Sequence, residues 1–305
     1  MGAVGLGCMG MTWAYGKGET ERAEHIRVIH RALELGATLI DTADVYGPFT
    51  NEELVGEALV GHRGRAFLAT KVGLATDRVK FDITRNGRPE HVRASIDESL
   101  KRLRTDVVDL YQLHRVDPEV PLEETWGAMA ETVTAGKAKA IGLSEVTLEE
   151  LARAQKVHPV ASVQSELSLW TRDHLEVVAR CAVENIAFLA YSPLGRGFLT
   201  GRFTKVSDFE EGDWRRKNPR FRDEATLKAN LALVETVSTV AKKHACTPAQ
   251  VALAWVLAQG STVIPIPGTR KLERLEENIA ASEVKLDATD FATLDALPQA
   301  QGNRY

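Results

Sequence analysis

The stretch "GATLIDTADVYG", residues 36–47, decides how this chain is to be read. Gly36 closes a helical pattern, where glycine accommodates the left-handed turn that ends a helix. "TLID" (38–41) then reads as a short buried strand. It runs straight into two carboxylates, Asp41 and Asp44, and a phenol, Tyr46. Acidic groups at the end of an apolar run are costly unless something pairs with them. A helix, a strand and a polar strand end make one unit, and the chain repeats it.

Working outward, further β-like runs are "AVGLG" (3–7), "AFLATK" (66–71), "VVDLYQLH" (107–114) and "AKAIGLS" (138–144). They continue with "ASVQSE" (161–166), "IAFLAYS" (186–192) and "TVIPIPG" (262–268). Between them apolar residues recur at helical spacing: Ile26, Ile29 and Leu33; Val92, Ile96, Leu100 and Leu103; Leu122, Trp126, Met129 and Val133. Thr147 with Glu150, and Thr247 with Gln250, fit capping boxes, and Pro89 and Pro248 suit first-turn positions. Gly136 repeats the role of Gly36. Eight strand–helix units over residues 1–305, with no linker between them, predict a single (β/α)8 TIM barrel domain. A doubly wound fold is the competitor, but "GLGCMG" (5–10) is followed by "MTWAYGKG", which does not open a helix.

Composition agrees with a soluble globular protein: 305 residues, 44% hydrophobic, 26% charged, net charge −4. That balance gives no reason to expect nucleic acid or a membrane as partner. Cys8, Cys181 and Cys246 are dispersed and odd in number, which predicts no metal site, no disulfide framework and a cytoplasmic setting. The N-terminus lacks the charged region and apolar core of a signal peptide. Its abrupt start on a first strand leaves room for residues before Met1. An oligomer is possible but not indicated.

In a barrel, chemistry sits where strands end on the C-terminal face. Lys71 ends the third strand and His114 the fourth, beside Asp41 on the second, with Tyr46 just beyond. Taken singly, each has an ordinary structural role; jointly they form a constellation. A phenol with pKa about 10 is a poor acid or base near neutrality. A nearby ammonium favours phenolate and lowers that pKa, and a carboxylate can hold the ammonium. Lys71 paired with Asp41 is expected to do this for Tyr46, while His114 orients a substrate oxygen. Asp44 is left as a loop residue.

The motifs "GATLIDTADVYG…NEELVGEAL", "LATKVG", "LYQLHRVD", "GLSE", "VQSELSLW", "YSPLGRGFLTG" and "IPGTRKLERLEENI" resemble the aldo-keto reductase superfamily over nearly the whole chain. The similarity is to its bacterial and plant branch, which includes proteins resembling pyridoxal reductase and perakine reductase. The resemblance implies a (β/α)8 barrel binding NADP(H) across its mouth, and a tetrad matched by Asp41, Tyr46, Lys71 and His114. It implies hydride transfer to the carbonyl of a small aldehyde or ketone, with the proton supplied by Tyr46.

By position, Gly7, Cys8 and Met9 match residues beside the nicotinamide ribose, and Ser144 and Gln164 match partners of the carboxamide. Tyr191 matches the aromatic that stacks on the nicotinamide. Ser192, Pro193, Leu194, Gly195 and Gly197 match the loop approaching the pyrophosphate. Gly268, Thr269, Arg270 and Arg274 match the 2′-phosphate end, and Glu277 and Asn278 the adenine. A hydroxyl and two guanidiniums near a helix start independently favour a phosphate dianion, hence NADP(H) over NAD(H). Two positions depart from many relatives: Glu145 replaces an asparagine, and Gly268 a lysine. A carboxylate cannot donate as an amide does.

Residues 196–224 read as a lid loop over cofactor or substrate, with Arg215, Arg216 or Lys217 near phosphates. Trp13 is expected in the substrate pocket with Tyr46 and His114, and Trp170 is a weaker candidate for its wall. Two alternatives remain: an NADP(H)-binding regulatory subunit resembling potassium-channel β subunits, and a Schiff-base aldolase or isomerase using Lys71.

Overall fold

In the computed structural model, residues 2–15, 21–77 and 82–304 are described. Eight parallel strands run in sequence order around one sheet: β1 (Leu6–Gly7), β2 (Leu39–Asp41), β3 (Phe67–Val72), β4 (Leu110–Leu113), β5 (Ile141–Ser144), β6 (Ser162–Glu166), β7 (Ala187–Tyr191) and β8 (Val263–Pro265). The ring closes where Gly5 N donates to Pro265 O at 2.9 Å and Gly7 N to Pro267 O at 3.3 Å, with Gly7 bridging Gly268 in parallel. This seam requires glycine. A Cβ on Gly7 would sit 2.8 Å from Ile266 O, and one on Gly268 would lie 3.0 Å from Gly7 O.

Around the barrel lie α1 (Arg22–Glu34), α2 (Thr50–Ala58), α3 (Pro89–Leu103), α4 (Leu122–Thr134), α5 (Leu148–Gln155) and α6 (Leu175–Glu184). Two helices, α7 (Glu224–Lys243) and α8 (Pro248–Leu257), separate β7 from β8, and α9 (Leu272–Ala280) and α10 (Ala288–Asp295) follow. Local chemistry sets their ends. Both capping boxes form, at Thr147–Glu150 and Thr247–Gln250, and Pro89 and Pro248 occupy first turns. Gly36 and Gly136 take φ of 83° and 73° after α1 and α4. The apolar stripes Ile29–Leu33, Val92–Ile96–Leu103 and Leu122–Trp126–Met129 are buried against the strands.

Strand side chains alternate between the two faces, and that period organises the interior. Leu39, Ala69, Leu110, Leu189 and Ile266 pack together as an apolar layer. Two residues further along the same faces stand Asp41, Lys71, Gln112, Tyr191 and Gly268. The barrel is therefore greasy below and polar at its C-terminal mouth. A short antiparallel hairpin, Leu74–Ala75 with Thr84–Arg85, follows β3 and was not anticipated from the sequence. Its turn includes residues outside those described. Paired strand lengths are shorter than the apolar runs. Just before β4, for example, Val108 bridges Ala138 in isolation, and the next side chain, Asp109, accepts from Leu68 N at 2.9 Å.

Candidate active site

Lys71 is the centre of the mouth. Its side chain is completely buried, and its three ammonium donors are spent on Asp41 Oδ1 at 2.6 Å, Thr42 O at 2.8 Å and Tyr46 Oη at 3.3 Å. Register brings these groups together: Asp41 pairs across to Ala69, two residues before Lys71 on the inward face of β3. The second oxygen of Asp41 accepts from Gln164 Nε2 at 2.8 Å and from Gln112 Nε2 at 3.3 Å. The buried carboxylate is thus paired and hydrogen-bonded, as burial of a charge demands. Burial alone would lower the Lys71 pKa, but Asp41 and Tyr46 outweigh it and hold the group above its ordinary value.

Tyr46, 7% exposed, stands edge-on to His114 with ring centroids 5.6 Å apart and planes at 84°. Trp13 lies on its other side, with a centroid separation of 5.9 Å, and Met9 and Leu74 pack against the same cluster. The expectation that Lys71 brings the phenol below its usual pKa needs correction. Burial pushes the Tyr46 pKa up, and the pull of Lys71 only partly offsets it. The group is a neutral phenol whose conjugate base has an ammonium waiting beside it. His114 is held well below the ordinary histidine value by burial first, then by Lys71 and Arg115, so its imidazole is neutral. Its Nδ1 is buried without a hydrogen-bond partner among the described residues, close to the Tyr46 ring.

Other expected residues fall around this centre. Gly7, Cys8 and Met9 end β1, where Cys8 N donates to Asp41 O at 2.9 Å and Asn51 Nδ2 donates to Cys8 O at 2.9 Å. Burial raises the Cys8 thiol pKa, so it stays protonated and unreactive. Ser144 is buried and its Oγ accepts from Arg115 Nη1 at 3.2 Å. Gln164 is buried with its amide nitrogen committed to Asp41, so one of its two functional ends already serves the tetrad. Tyr191 ends β7 half-buried, and Ser192, Gly195 and Gly197 beyond it take left-handed φ of 49°, 56° and 90°. Pro193 and Leu194 complete that turn.

At the far end, Thr269, Arg270 and Arg274 cluster before and within α9, with Asn278 buried one turn further and Glu277 half-buried beside it. Among the described residues neither Arg270 nor Arg274 forms an ion pair or side-chain hydrogen bond, although Glu277 and Glu273 lie near enough to Arg274 to act on it. Burial first, then Arg202 and Arg270, lowers the Arg274 pKa, and the nearby carboxylates of Glu277 and Glu273 only partly offset them. Left-handed glycines near β7 and guanidiniums gathered near β8 suit a dinucleotide ending in a phosphate.

Several residues lie elsewhere than expected. Trp170 is buried, stacks on Phe198 at 4.7 Å and packs against Gly195. Asp44 does lie in the turn after β2, but it is buried there and accepts from Val45 N at 2.6 Å. Burial and the nearby Glu52 raise its pKa well above the carboxylate range. Arg215 is spent on Asp213 at 2.5 Å and on the faces of Tyr15, Phe203 and Phe209, while Arg216 and Lys217 are exposed. Residues 196–224 rest on an aromatic cluster of Trp170, Phe198, Phe203, Phe209 and Phe221, and Trp214 N donates to Ala14 O at 3.1 Å. Gln112 went unremarked in the sequence; its signal was its place two residues before His114, on the same inward face.

Fold and site together define a parallel (β/α)8 barrel protein with a buried, hydrogen-bonded cluster of ionisable side chains at the C-terminal mouth. The profile of the Aldo/keto reductase family matches residues 3–299, and the chain belongs to that family. It is 42% identical to the "Aldo-keto reductase yakc" of Schizosaccharomyces pombe, whose name specifies NADP(+), over 99% of this chain and 91% of that protein. It is 45% identical to "Probable aldo-keto reductase 1" of Glycine max, over 99% of this chain and 88% of that one. Among solved structures, a glycerol dehydrogenase from Gluconobacter oxydans superposes with TM-score 0.85 at 30% identity, covering 96% of this chain and 90% of that one. An aldo/keto reductase from Klebsiella pneumoniae in complex with NADP and acetate superposes with TM-score 0.74 at 28% identity, covering 99% and 94%.

Proposed function

We propose that this protein reduces an aldehyde or ketone to the alcohol with NADP(H), using Asp41, Tyr46, Lys71 and His114. The observation that carries the proposal is the Lys71 ammonium, buried between Asp41 Oδ1 at 2.6 Å and Tyr46 Oη at 3.3 Å. A bound NADPH supplies hydride. The protein's own residues then handle the oxygen. Neutral His114 donates a hydrogen bond that orients the carbonyl, and the protonated Tyr46 gives its proton as negative charge develops there. Lys71 stabilises the resulting phenolate, and Asp41, braced by Gln112 and Gln164, keeps the ammonium in place. Met9, Trp13 and Leu74 give the mouth an apolar wall.

Cofactor preference follows from the cluster at α9: Arg270 and Arg274, with Thr269, suit the 2′-phosphate that distinguishes NADP(H) from NAD(H). Names of related proteins point the same way. A Schiff-base role for Lys71 is disfavoured, since its ammonium is held protonated and a nucleophilic amine must be neutral.

The test is NADPH oxidation followed by absorbance against a panel of aldehydes, ketones and pyridoxal. Tyr46→Phe should retain NADPH binding and lose turnover by about two to four orders of magnitude, the usual contribution of general acid catalysis. Full activity in that variant, with Lys71 and His114 present, would remove Tyr46 as proton donor.

A further inference from the structure

Glu145 follows Ser144 at the end of β5, in left-handed backbone at φ 56°. Its carboxylate is buried and fully engaged. One oxygen accepts from Glu166 N at 2.9 Å; the other meets the guanidinium of Arg304 and lies 3.4 Å from His174 Nε2. Burial would raise its pKa, but His174, the Glu166 N–H and Arg304 bring it down to about 2.

Arg304 belongs to a C-terminal tail pinned along its length. Asn230 on α7 exchanges hydrogen bonds with Gln301 at 3.1 and 2.8 Å. Arg220 Nε donates to Gly302 O at 3.2 Å, and Asn218 Nδ2 to Arg304 O at 2.8 Å. The same cluster reaches the loop after β7. Glu166, wholly buried at the end of β6, accepts from Arg196 Nη2 at 3.0 Å and from Thr171 Oγ1 at 3.0 Å, and Arg220 Nη1 donates to Thr171 Oγ1 at 2.7 Å. Arg196 lies between Gly195 and Gly197. Three guanidiniums, of Arg196, Arg220 and Arg304, are gathered with the carboxylates of Glu145, Glu166 and Asp173 beside that turn. Burying so many ions is costly unless their geometry serves a purpose.

We propose that Glu145 and Arg304 are positioning residues for the cofactor. Their ion pair straps the tail across the ends of β5 and β6 and, through Glu166 and Arg196, holds the Gly195–Gly197 turn against the pyrophosphate. In this chain the carboxylate beside Ser144 therefore acts on cofactor retention through the tail, without contacting the carboxamide. The inference rests on the NADP(H) reading above.

The experiment compares the full chain with Arg304→Ala, Glu145→Gln, the double variant and the milder Arg304→Lys. NADPH release is measured by stopped-flow fluorescence, hydride transfer by single turnover with cofactor prebound, and folding by thermal unfolding. Each single alanine or glutamine change should speed release by at least about tenfold, as loss of one partner of a buried charge pair does for dissociation rates. The double variant should release no faster than the singles, because the two act as one unit. Single-turnover hydride transfer should stay at the wild-type rate. A purely structural role would lower the unfolding temperature and leave release from folded molecules unchanged; that result overturns the proposal, as does additive acceleration in the double variant. If Arg304→Ala does not fold, Arg304→Lys must show the faster release, and a wild-type rate there is equally decisive. Failure of the unmodified chain to bind NADPH would defeat both readings, whereas normal binding with unaltered release defeats only the strap.

Discussion

Asp41 shows how much one inward position carries. It touches Lys71, Gln112 and Gln164, from three other strands, so its two oxygens tie together most of the mouth. Its pairing with Lys71 was legible from strand-end position alone, because the side-chain period of two makes strand ends comparable. Gln112 was not singled out, since a glutamine inside an apolar run carries no chemical flag until its neighbour across the barrel is known. Glu145 was legible as an oddity but not as an ion pair: its partner Arg304 lies 159 residues away. At the other end of the site, Arg274 can be tested singly. Beyond the effect of burial, Arg202 and Arg270 lower its pKa more than Glu277 and Glu273 restore it, an imbalance that a phosphate dianion would relieve. Arg274→Ala should weaken NADPH by about ten- to a hundredfold, the worth of a hydrogen bond to a charged group, and leave NADH nearly unchanged. Titration of both nucleotides by fluorescence quenching decides it; equal losses would sink the 2′-phosphate assignment.

Elements were easier to read than their edges. All eight barrel strands and the helical stripes follow from period and capping, but ladders such as β1 and β4 are shorter than their apolar runs. Propensity says which residues tolerate a strand, whereas pairing depends on a neighbour that sequence does not name. The hairpin after β3 escaped because each of its strands holds two residues, too few to show alternation. The seam between β1 and β8 was likewise invisible, although its glycines were not. Gly7 reads from the sequence as a strand end and cofactor contact, yet it also lets the barrel close, because a Cβ there would lie 2.8 Å from Ile266 O. That contact is with backbone and cannot be relieved by a rotamer change. Gly7→Ala should therefore cost roughly 1–3 kcal/mol, as overpacking does, with a lower unfolding temperature even without cofactor. An unchanged midpoint in denaturant would show that the seam has slack.

For the molecule as a whole, the balance of buried titratable groups sets how stability depends on pH. His25, His91 and His114 all have pKa values lowered chiefly by burial, with Arg270, Lys71 and Arg115 adding to the effect at His25 and His114. In the unfolded chain each takes up a proton near pH 6.5, the ordinary histidine value. In the folded chain it does not. The unfolded state thus binds more protons, so stability is full above about pH 6.5 and is lost as pH falls toward the folded values. Asp44 acts in the opposite sense, because its raised pKa lets the folded state keep a proton that the unfolded state has released. One carboxyl opposes three imidazoles, so the histidines prevail between neutrality and about pH 5. Glu145 and Glu123, held at about 2, add their own losses in stronger acid, from the ordinary carboxylate range downward through those folded values. Calorimetry of the cofactor-free chain should show the unfolding temperature falling steadily from pH 7 to about 5, each histidine contributing a slope of up to about 1.4 kcal/mol per pH unit. Replacing His25 and His91 together with glutamine should flatten that slope without touching the tetrad. A profile that is level across this range in the unmodified chain would mean that these imidazoles find protons or partners in the folded state, and the neutral His114 assigned to the mouth would fall with it.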